Sequence, residues 1–121
     1  MNPVLFLRST PRFNLVLALL WMAFIFLLSS TPAIRIPPQL IPYSTLVHLL
    51  EYIVLGFLIL PYFSHWRNPF SITVLFALLY GVSDEFHQLF VPGRFCTIDD
   101  VLVDTLGSAV GAFISKKWGG L

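Results

Sequence analysis

The stretch GVSDEFHQLFVPGR, from Gly81 to Arg94, places five side chains capable of chemistry directly after a run of apolar residues. They are Asp84, Glu85, His87, Gln88 and Arg94. Carboxylates and imidazoles serve as general acids, general bases or metal ligands. A guanidinium holds a carboxylate or a phosphate through paired hydrogen bonds. Such a set within an otherwise apolar chain predicts a functional site.

A second polar group precedes this stretch, in the segment HLLEY. His48, Glu51 and Tyr52 are separated by helical steps of three and four residues, so they share one helix face. This spacing is not the HExxH pattern of zinc proteases. The group therefore adds an imidazole and a carboxylate to the set without identifying a metal.

A third polar group follows, in DDVLVDTLGSAVG. Asp100 and Asp104 lie one helical turn apart and continue into Gly107 and Gly111, a GxxxG step that permits close helix contact. Thr97 and Asp100 also fit a capping box, which gives Asp100 a structural role at a helix start. Asp104 is a full turn deeper, so capping does not explain it, and we predict a functional or pairing role.

Membrane-spanning helices must position these groups. The chain has 121 residues, of which 57% are hydrophobic and only 11% charged, with a mean hydropathy of +0.84, whereas soluble domains average about 25% charged residues. Hydrophobic runs predict spans over residues 13–30, 44–63, 69–90 and 97–115. The proline-rich segment 31–43 predicts a stiff, extended loop. We predict an all-α integral membrane protein, a single domain of residues 1–121 with four transmembrane helices.

The charges predict an orientation. Five of the seven basic residues lie at the N-terminus, between spans two and three, or at the C-terminus: Arg8, Arg12, Arg67, Lys116 and Lys117. Cytoplasmic loops collect Lys and Arg, so both termini are predicted to be cytoplasmic. All six acids then fall towards the outer half: Glu51, Asp84, Glu85, Asp99, Asp100 and Asp104.

The predicted helices bring the ionisable groups to one depth. At a rise of about 1.5 Å per residue, Asp84 lies roughly 22 Å along span three, while Glu51 and Asp104 lie about 10 Å from the outer ends of their spans. A charge within hydrocarbon costs about 2.5–3.5 kcal/mol on insertion scales. The groups are therefore predicted to line an outward-opening polar cavity or to pair with one another, and Arg94 to pair with the acids.

These considerations give candidate residues by role. The acid–base candidates are His48, Asp84, Glu85 and His87. The substrate-binding candidates are Tyr52, Gln88, Arg94, Asp100 and Asp104. If a divalent cation serves as cofactor, its candidate ligands are His48, Glu51, Asp84 and His87. The single cysteine, Cys96, excludes an intrachain disulfide and is expected to be a small apolar loop residue.

The three polar stretches together resemble the VanZ-like family of membrane proteins. The resemblance rests on HLLEY with the following Gly56, on YGVSDEFHQLFVPGR and on DDVLVDTLGSAVG, and extends from Trp21 to Gly111. It implies a small multi-pass protein of the bacterial cytoplasmic membrane, whose namesake is associated with resistance to the glycopeptide teicoplanin. The family's polar positions fall on His48, Tyr52, Asp84, Glu85, His87, Gln88, Arg94 and Asp100. The family usually has asparagine where this chain has Asp104.

Two functions remain open at this point. The first is a cell-envelope protein that binds or modifies a lipid-linked or amphiphilic envelope molecule, with a link to glycopeptide resistance. The alternative is a non-catalytic transport or proton-coupled subunit, or a scaffold for another envelope protein, since intramembrane acids are typical of proton paths. We expect the lipid bilayer, an envelope substrate or a glycopeptide as partners, and no nucleic acid. Whether the protein is an enzyme is left open.

Overall fold

The computed structural model describes residues 11–95 and 97–119, and every regular element within them is helical. Four α-helices follow one another: α1 Pro11–Ser29, α2 Ser44–Ile59, α3 Pro69–Gln88 and α4 Ile98–Gly119. The all-α prediction is confirmed, and the helices coincide with the predicted spans to within a few residues at most ends. A 3₁₀ turn, Leu60–Phe63, completes the second span. The predictions for Arg8 and Cys96 lie outside the described residues.

Three segments are long and apolar enough to cross a membrane: Arg12–Ser29, Pro38–Phe63 and Pro69–Gln88. Helix α4 has 22 residues, which is sufficient length for a span. It carries aspartates in its first half and two lysines near its end, so its composition alone does not class it with the other three. The fourth span and the cytoplasmic placement of both termini therefore stay predictions.

Helix α4 packs backbone against backbone on α2. A Cβ atom added to Gly107 would lie 2.7 Å from the carbonyl oxygen of Leu49, and one added to Gly111 would overlap the carbonyl group of Ile53. Only glycine permits so close an approach. The GxxxG step thus lies at a helix interface, as its position on the polar stripe predicts.

The loops at one end of the bundle depart in part from expectation. The proline-rich segment is not extended throughout, because it contains two 3₁₀ turns, Ala33–Arg35 and Pro38–Tyr43. The fixed φ of proline suits the first position of such a turn as well as it suits an extended chain. The predicted turn at Pro92 is confirmed, with Gly93 at φ +75°. The backbone N–H of Ala33 donates to the Pro92 carbonyl over 3.1 Å, which ties the two loops together.

The two halves of the bundle differ in charge. We call the half in which α1 and α3 end and α2 and α4 begin the acidic half. It contains all six acids: Glu51, Asp84, Glu85, Asp99, Asp100 and Asp104. The basic residues described in the opposite half are Arg12, Arg67, Lys116 and Lys117. Between them, Tyr52, Leu55 and Ala77 form part of an apolar core, while many large apolar side chains face outwards, as a lipid-exposed surface requires.

Candidate functional site

A buried hydrogen-bonded pair joins α2 to α4 in the acidic half. His48 Nδ1 lies 3.2 Å from Asp104 Oδ1, and the two side chains are 8% and 0% exposed. A carboxylate accepts hydrogen bonds, so Nδ1 is the donor when Asp104 is ionised. Gly81 of α3 faces the same pair, because a Cβ there would lie 3.3 Å from Asp104 Oδ2. Three helices therefore meet at this point.

Beside this pair, one residue from each of the three helices contributes to a compact group. His48, Glu85 and Asp100 each offer one metal-ligating atom, and these atoms lie within 4.8 Å of one another. Glu85 is 1% exposed, and Asp100 is half-buried at the start of α4. The Asp100 backbone N–H donates to the Thr97 hydroxyl oxygen over 3.2 Å, so the Thr97 half of the predicted capping box is present, whereas the Thr97 N–H donates to Glu85. The cap uses only the backbone N–H of Asp100.

Glu85 also connects α3 to the start of α4. Its Oε2 accepts a hydrogen bond from the backbone N–H of Thr97 over 3.3 Å, while Oε1 has no hydrogen-bond partner among the described residues. No pattern in the sequence indicates this contact, because the donor is a backbone group in a loop. The contact orients Glu85 towards α4.

The remaining candidates from α2 and α3 are buried next to this group. Glu51 is 8% exposed, Asp84 2%, Gln88 1% and Tyr52 0%. Both Asp84 carboxylate oxygens, the Tyr52 hydroxyl and Gln88 Nε2 form no hydrogen bond of standard geometry among the described residues. The Ser29 hydroxyl interacts with Asp84, but outside that geometry. Buried polar groups normally have partners, so this concentration of unpaired groups marks the acidic half as a candidate site.

Two aromatic side chains, Trp21 of α1 and Tyr80 of α3, connect α1 to its neighbouring helices. Trp21 Nε1 donates to the Glu51 carbonyl over 2.8 Å, and the Tyr80 hydroxyl donates to the Met22 carbonyl over 2.5 Å. Each bond fixes a side chain to the backbone of another helix. Trp21 thereby holds α1 against the segment of α2 that carries the polar face.

His87 faces α1 and is not part of the compact group. Its ring stacks on Phe26 with centroids 4.2 Å apart, and Nε2 lies 3.4 Å from the Ser30 hydroxyl. The sequence places His87 one turn from Asp84, but the helix turns its ring towards the end of α1. It interacts with Asp84 only through electrostatics.

The predicted ion pair of Arg94 is wrong for the described residues, because no carboxylate among them lies within 4.0 Å of its guanidinium. Its Nη1 donates instead to the Thr31 carbonyl over 3.0 Å. Carbonyls at a helix C-terminus lack intrahelical partners, and the turn at Gly93 brings the guanidinium to one that follows α1. Arg94 remains in electrostatic range of Glu51 and Asp84.

An apolar groove lies between α3 and α4, beside the compact group. It has a volume of about 330 Å³. Its lining residues are Val82, Glu85, Phe86, Leu89, Thr97, Ile98 and Val101. Phe86 and Ile98 are 61% and 80% exposed, so the groove opens sideways on the surface of the bundle. Glu85, at 1% exposure, is the buried member of this lining.

Comparison with known families identifies the chain. The family model described as VanZ/LLP1 matches residues 13–119. The chain belongs to the VanZ/LLP1 family. Comparison with curated proteins and with solved structures gives no significant match. Family membership agrees with the three apolar helices, and together they make this a membrane protein.

Within this VanZ/LLP1 protein, the matched region contains every candidate site residue, and all of them lie in the acidic half. The opposite half holds three buried polar residues that sequence reasoning passed over: Asn14, Thr73 and Ser115. They carry no charge, so the search for ionisable groups did not single them out. The hydroxyls of Thr73 and Ser115 have no hydrogen-bond partner in the part of the chain that the structure describes.

Proposed function

We propose that this VanZ/LLP1 protein binds a lipid-linked or amphiphilic envelope molecule from the outer side of the membrane. The polar head occupies the acidic half, and the hydrocarbon tail lies in the groove between α3 and α4. One observation carries the proposal: Glu85 belongs both to the wall of an apolar groove and to the buried polar group of three helices. An amphiphile can contact both surfaces at once, with its tail in the groove and its head on the polar group.

The two parts of the site have different tasks. A tail that moves from lipid into an apolar groove gains little hydrophobic energy, because lipid is as apolar as the groove. The tail therefore positions the molecule, and the head supplies most of the affinity. The Tyr52 hydroxyl and Gln88 Nε2 are buried donors without partners among the described residues, and each suits an oxygen of a phosphate or sugar head.

The same geometry suits modification of the head as well as its binding. In the His48–Asp104 pair, the carboxylate holds the imidazole in one orientation and one tautomer, and leaves Nε2 to accept or donate a proton. Asp84 and Glu85 are further acid–base candidates in the same half. Arg94, in electrostatic range of Glu51 and Asp84, lies near enough to contribute to binding an anionic head.

Native mass spectrometry of protein released in mild detergent tests the groove. Val82 lines the groove, and Val82→Trp fills it, whereas Leu79→Trp places the same bulk on the same helix outside the groove. We expect the wild type and Leu79→Trp to retain an amphiphilic envelope molecule, and Val82→Trp to lose it. Equal retention by all three proteins, or no retained molecule in the wild type, would contradict the proposal.

A cellular assay tests the link to glycopeptide resistance. Cells that express the wild type are expected to differ in teicoplanin susceptibility from cells without the protein. His48→Ala, Asp84→Asn and Arg94→Ala are expected to abolish that difference, because each removes a polar group of the acidic half. Immunoblots of membrane fractions provide the control for insertion. Full activity of all three variants at normal membrane levels would exclude a role for this half in resistance.

A further inference from the structure

We propose that His48, Glu85 and Asp100 form a binding site for one divalent transition-metal ion, Zn²⁺ or Mn²⁺, and that Asp104 orients the imidazole. In the proposed function, the ion would provide a cation that binds an anionic head. This role of the ion rests on the proposed function, whereas the site does not. The site itself rests on the arrangement of α2, α3 and α4.

The first argument is distance. The three ligand atoms lie within 4.8 Å of one another. Nitrogen and oxygen ligands lie about 2.0–2.2 Å from zinc, so ligand atoms around a tetrahedral ion are roughly 3.4 Å apart. Each pair therefore has to approach by roughly 1.4 Å at most, which side-chain rotation supplies without movement of the helices.

The second argument is the unpaired state of Glu85. Its side chain is 1% exposed, and Oε1 has no hydrogen-bond partner among the described residues. A buried carboxylate without a compensating cation is costly, above all at membrane depth. The described residues provide no ion pair for Glu85. A bound divalent cation compensates its charge together with that of Asp100.

The third argument is the orientation of His48. A histidine that ligates a metal usually donates its second ring N–H to a carboxylate or carbonyl, which fixes the ring. The Nδ1 contact with Asp104 over 3.2 Å provides this arrangement and leaves the Nε2 lone pair for the ion. With the ion bound, His48 is a ligand, and Asp84 remains as the acid–base candidate. Asp104 thus acts as a positioning residue.

The donor set selects the class of ion. One imidazole and two carboxylates suit Zn²⁺ or Mn²⁺, whereas Ca²⁺ takes six to eight oxygen ligands. Three protein ligands also leave coordination positions for a substrate oxygen. The sequence suggests four metal ligands, and of these His48 belongs to the compact group. The group does not include the other three, Glu51, Asp84 and His87.

Metal binding to the purified full chain tests the proposal. The protein is stripped with a chelator, and ZnCl₂ or MnCl₂ is then titrated by calorimetry, with elemental analysis for stoichiometry. His48→Ala is compared with His65→Ala, a histidine in an exposed turn, and Asp100→Asn with the exposed neighbour Asp99→Asn. We expect one ion per chain in the wild type and both controls, and at least 100-fold weaker binding in the two site variants. Glu85→Gln, a conservative change, is expected to behave as the site variants do.

A further variant separates positioning from ligation. Asp104→Asn keeps an acceptor for His48 Nδ1 but loses the negative charge, so the stoichiometry should stay at one ion while the affinity falls about 10–100-fold. No bound ion in the wild type, or equal affinity within each matched pair, would overturn the site. If the amphiphile is retained without any ion, only the metal site fails. If the ion binds while no amphiphile is retained, only the proposed function fails.

Discussion

Replacing Gly107 by alanine should loosen the packing of α4 on α2 by a calculable amount. The new Cβ would lie 2.7 Å from the Leu49 carbonyl oxygen, whereas ordinary contacts begin at 3.4 Å, so the backbones must separate by about 0.7 Å. The Leu49 oxygen belongs to the backbone and cannot rotate away. Overpacking of this kind costs about 1–3 kcal/mol, and alanine returns about 0.5–1 kcal/mol through its higher helix propensity. We expect a net loss of about 1 kcal/mol in the free energy of unfolding.

The separation should also reach the site, because Gly107 lies one helical turn from Asp104. A shift of about 0.7 Å would stretch the contact between Asp104 and His48, now 3.2 Å, beyond hydrogen-bond range. We therefore expect Gly107→Ala to weaken metal binding, although Gly107 touches neither a metal ligand nor the substrate. Gly81→Ala provides the contrast. Its Cβ would lie 3.3 Å from Asp104 Oδ2 and 3.6 Å from a ring carbon of Tyr52, which are side-chain atoms, so stability should hold while metal affinity falls.

The loss in the free energy of unfolding is measured by unfolding the protein in mixed micelles. Helical circular dichroism is followed as the mole fraction of dodecyl sulfate rises. Val110→Ala on the partly exposed face of α4 is the control, and its effect should stay within about 0.5 kcal/mol. An unfolding midpoint for Gly107→Ala equal to or above that of the wild type would refute the backbone contact. It would show that helix propensity outweighs packing at this position.

Two further predictions concern α1 and the orientation of the bundle. Trp21→Phe removes the 2.8 Å hydrogen bond to the Glu51 carbonyl. It should lower the unfolding free energy by about 0.5–1.5 kcal/mol in the same assay. An unchanged midpoint would mean that the bond contributes nothing. For orientation, Ile34→Cys and Trp66→Cys, both at exposed loop positions, are placed in a chain whose native cysteine is replaced by serine. A membrane-impermeant maleimide added to intact spheroplasts should label only Ile34→Cys, and the reverse pattern would invert the predicted topology.

The helices and their ends follow from the sequence, because hydrophobic runs and proline positions determine them locally. Pro69 begins α3 as predicted, and Thr97 caps α4. The GxxxG step also predicts a helix interface, since close contact excludes larger side chains. What the sequence does not contain is the rotation of each helix about its axis relative to its neighbours.

That rotation decides which of the adjacent acids Asp84 and Glu85 joins the compact group with His48 and Asp100. Asp84 and Glu85 point about 100° apart on an α-helix. The structure turns Glu85 towards Asp100, whereas Asp84 interacts with Ser29 of α1. For Arg94, the nearby charges do not predict the contact. The neighbouring acids favour an ion pair, but the turn at Gly93 places the guanidinium against the Thr31 backbone carbonyl.

If the proposed amphiphile binds in the groove between α3 and α4, the sideways opening sets how it arrives. Exposed Phe86 and Ile98 border the opening, so such a molecule would enter by moving within the plane of the bilayer. Its supply would then be set by its mole fraction among the lipids of one leaflet, and its search for the site would be two-dimensional. Occupancy should therefore follow the composition of the membrane, while the aqueous concentration of a tail-less analogue has little influence on it.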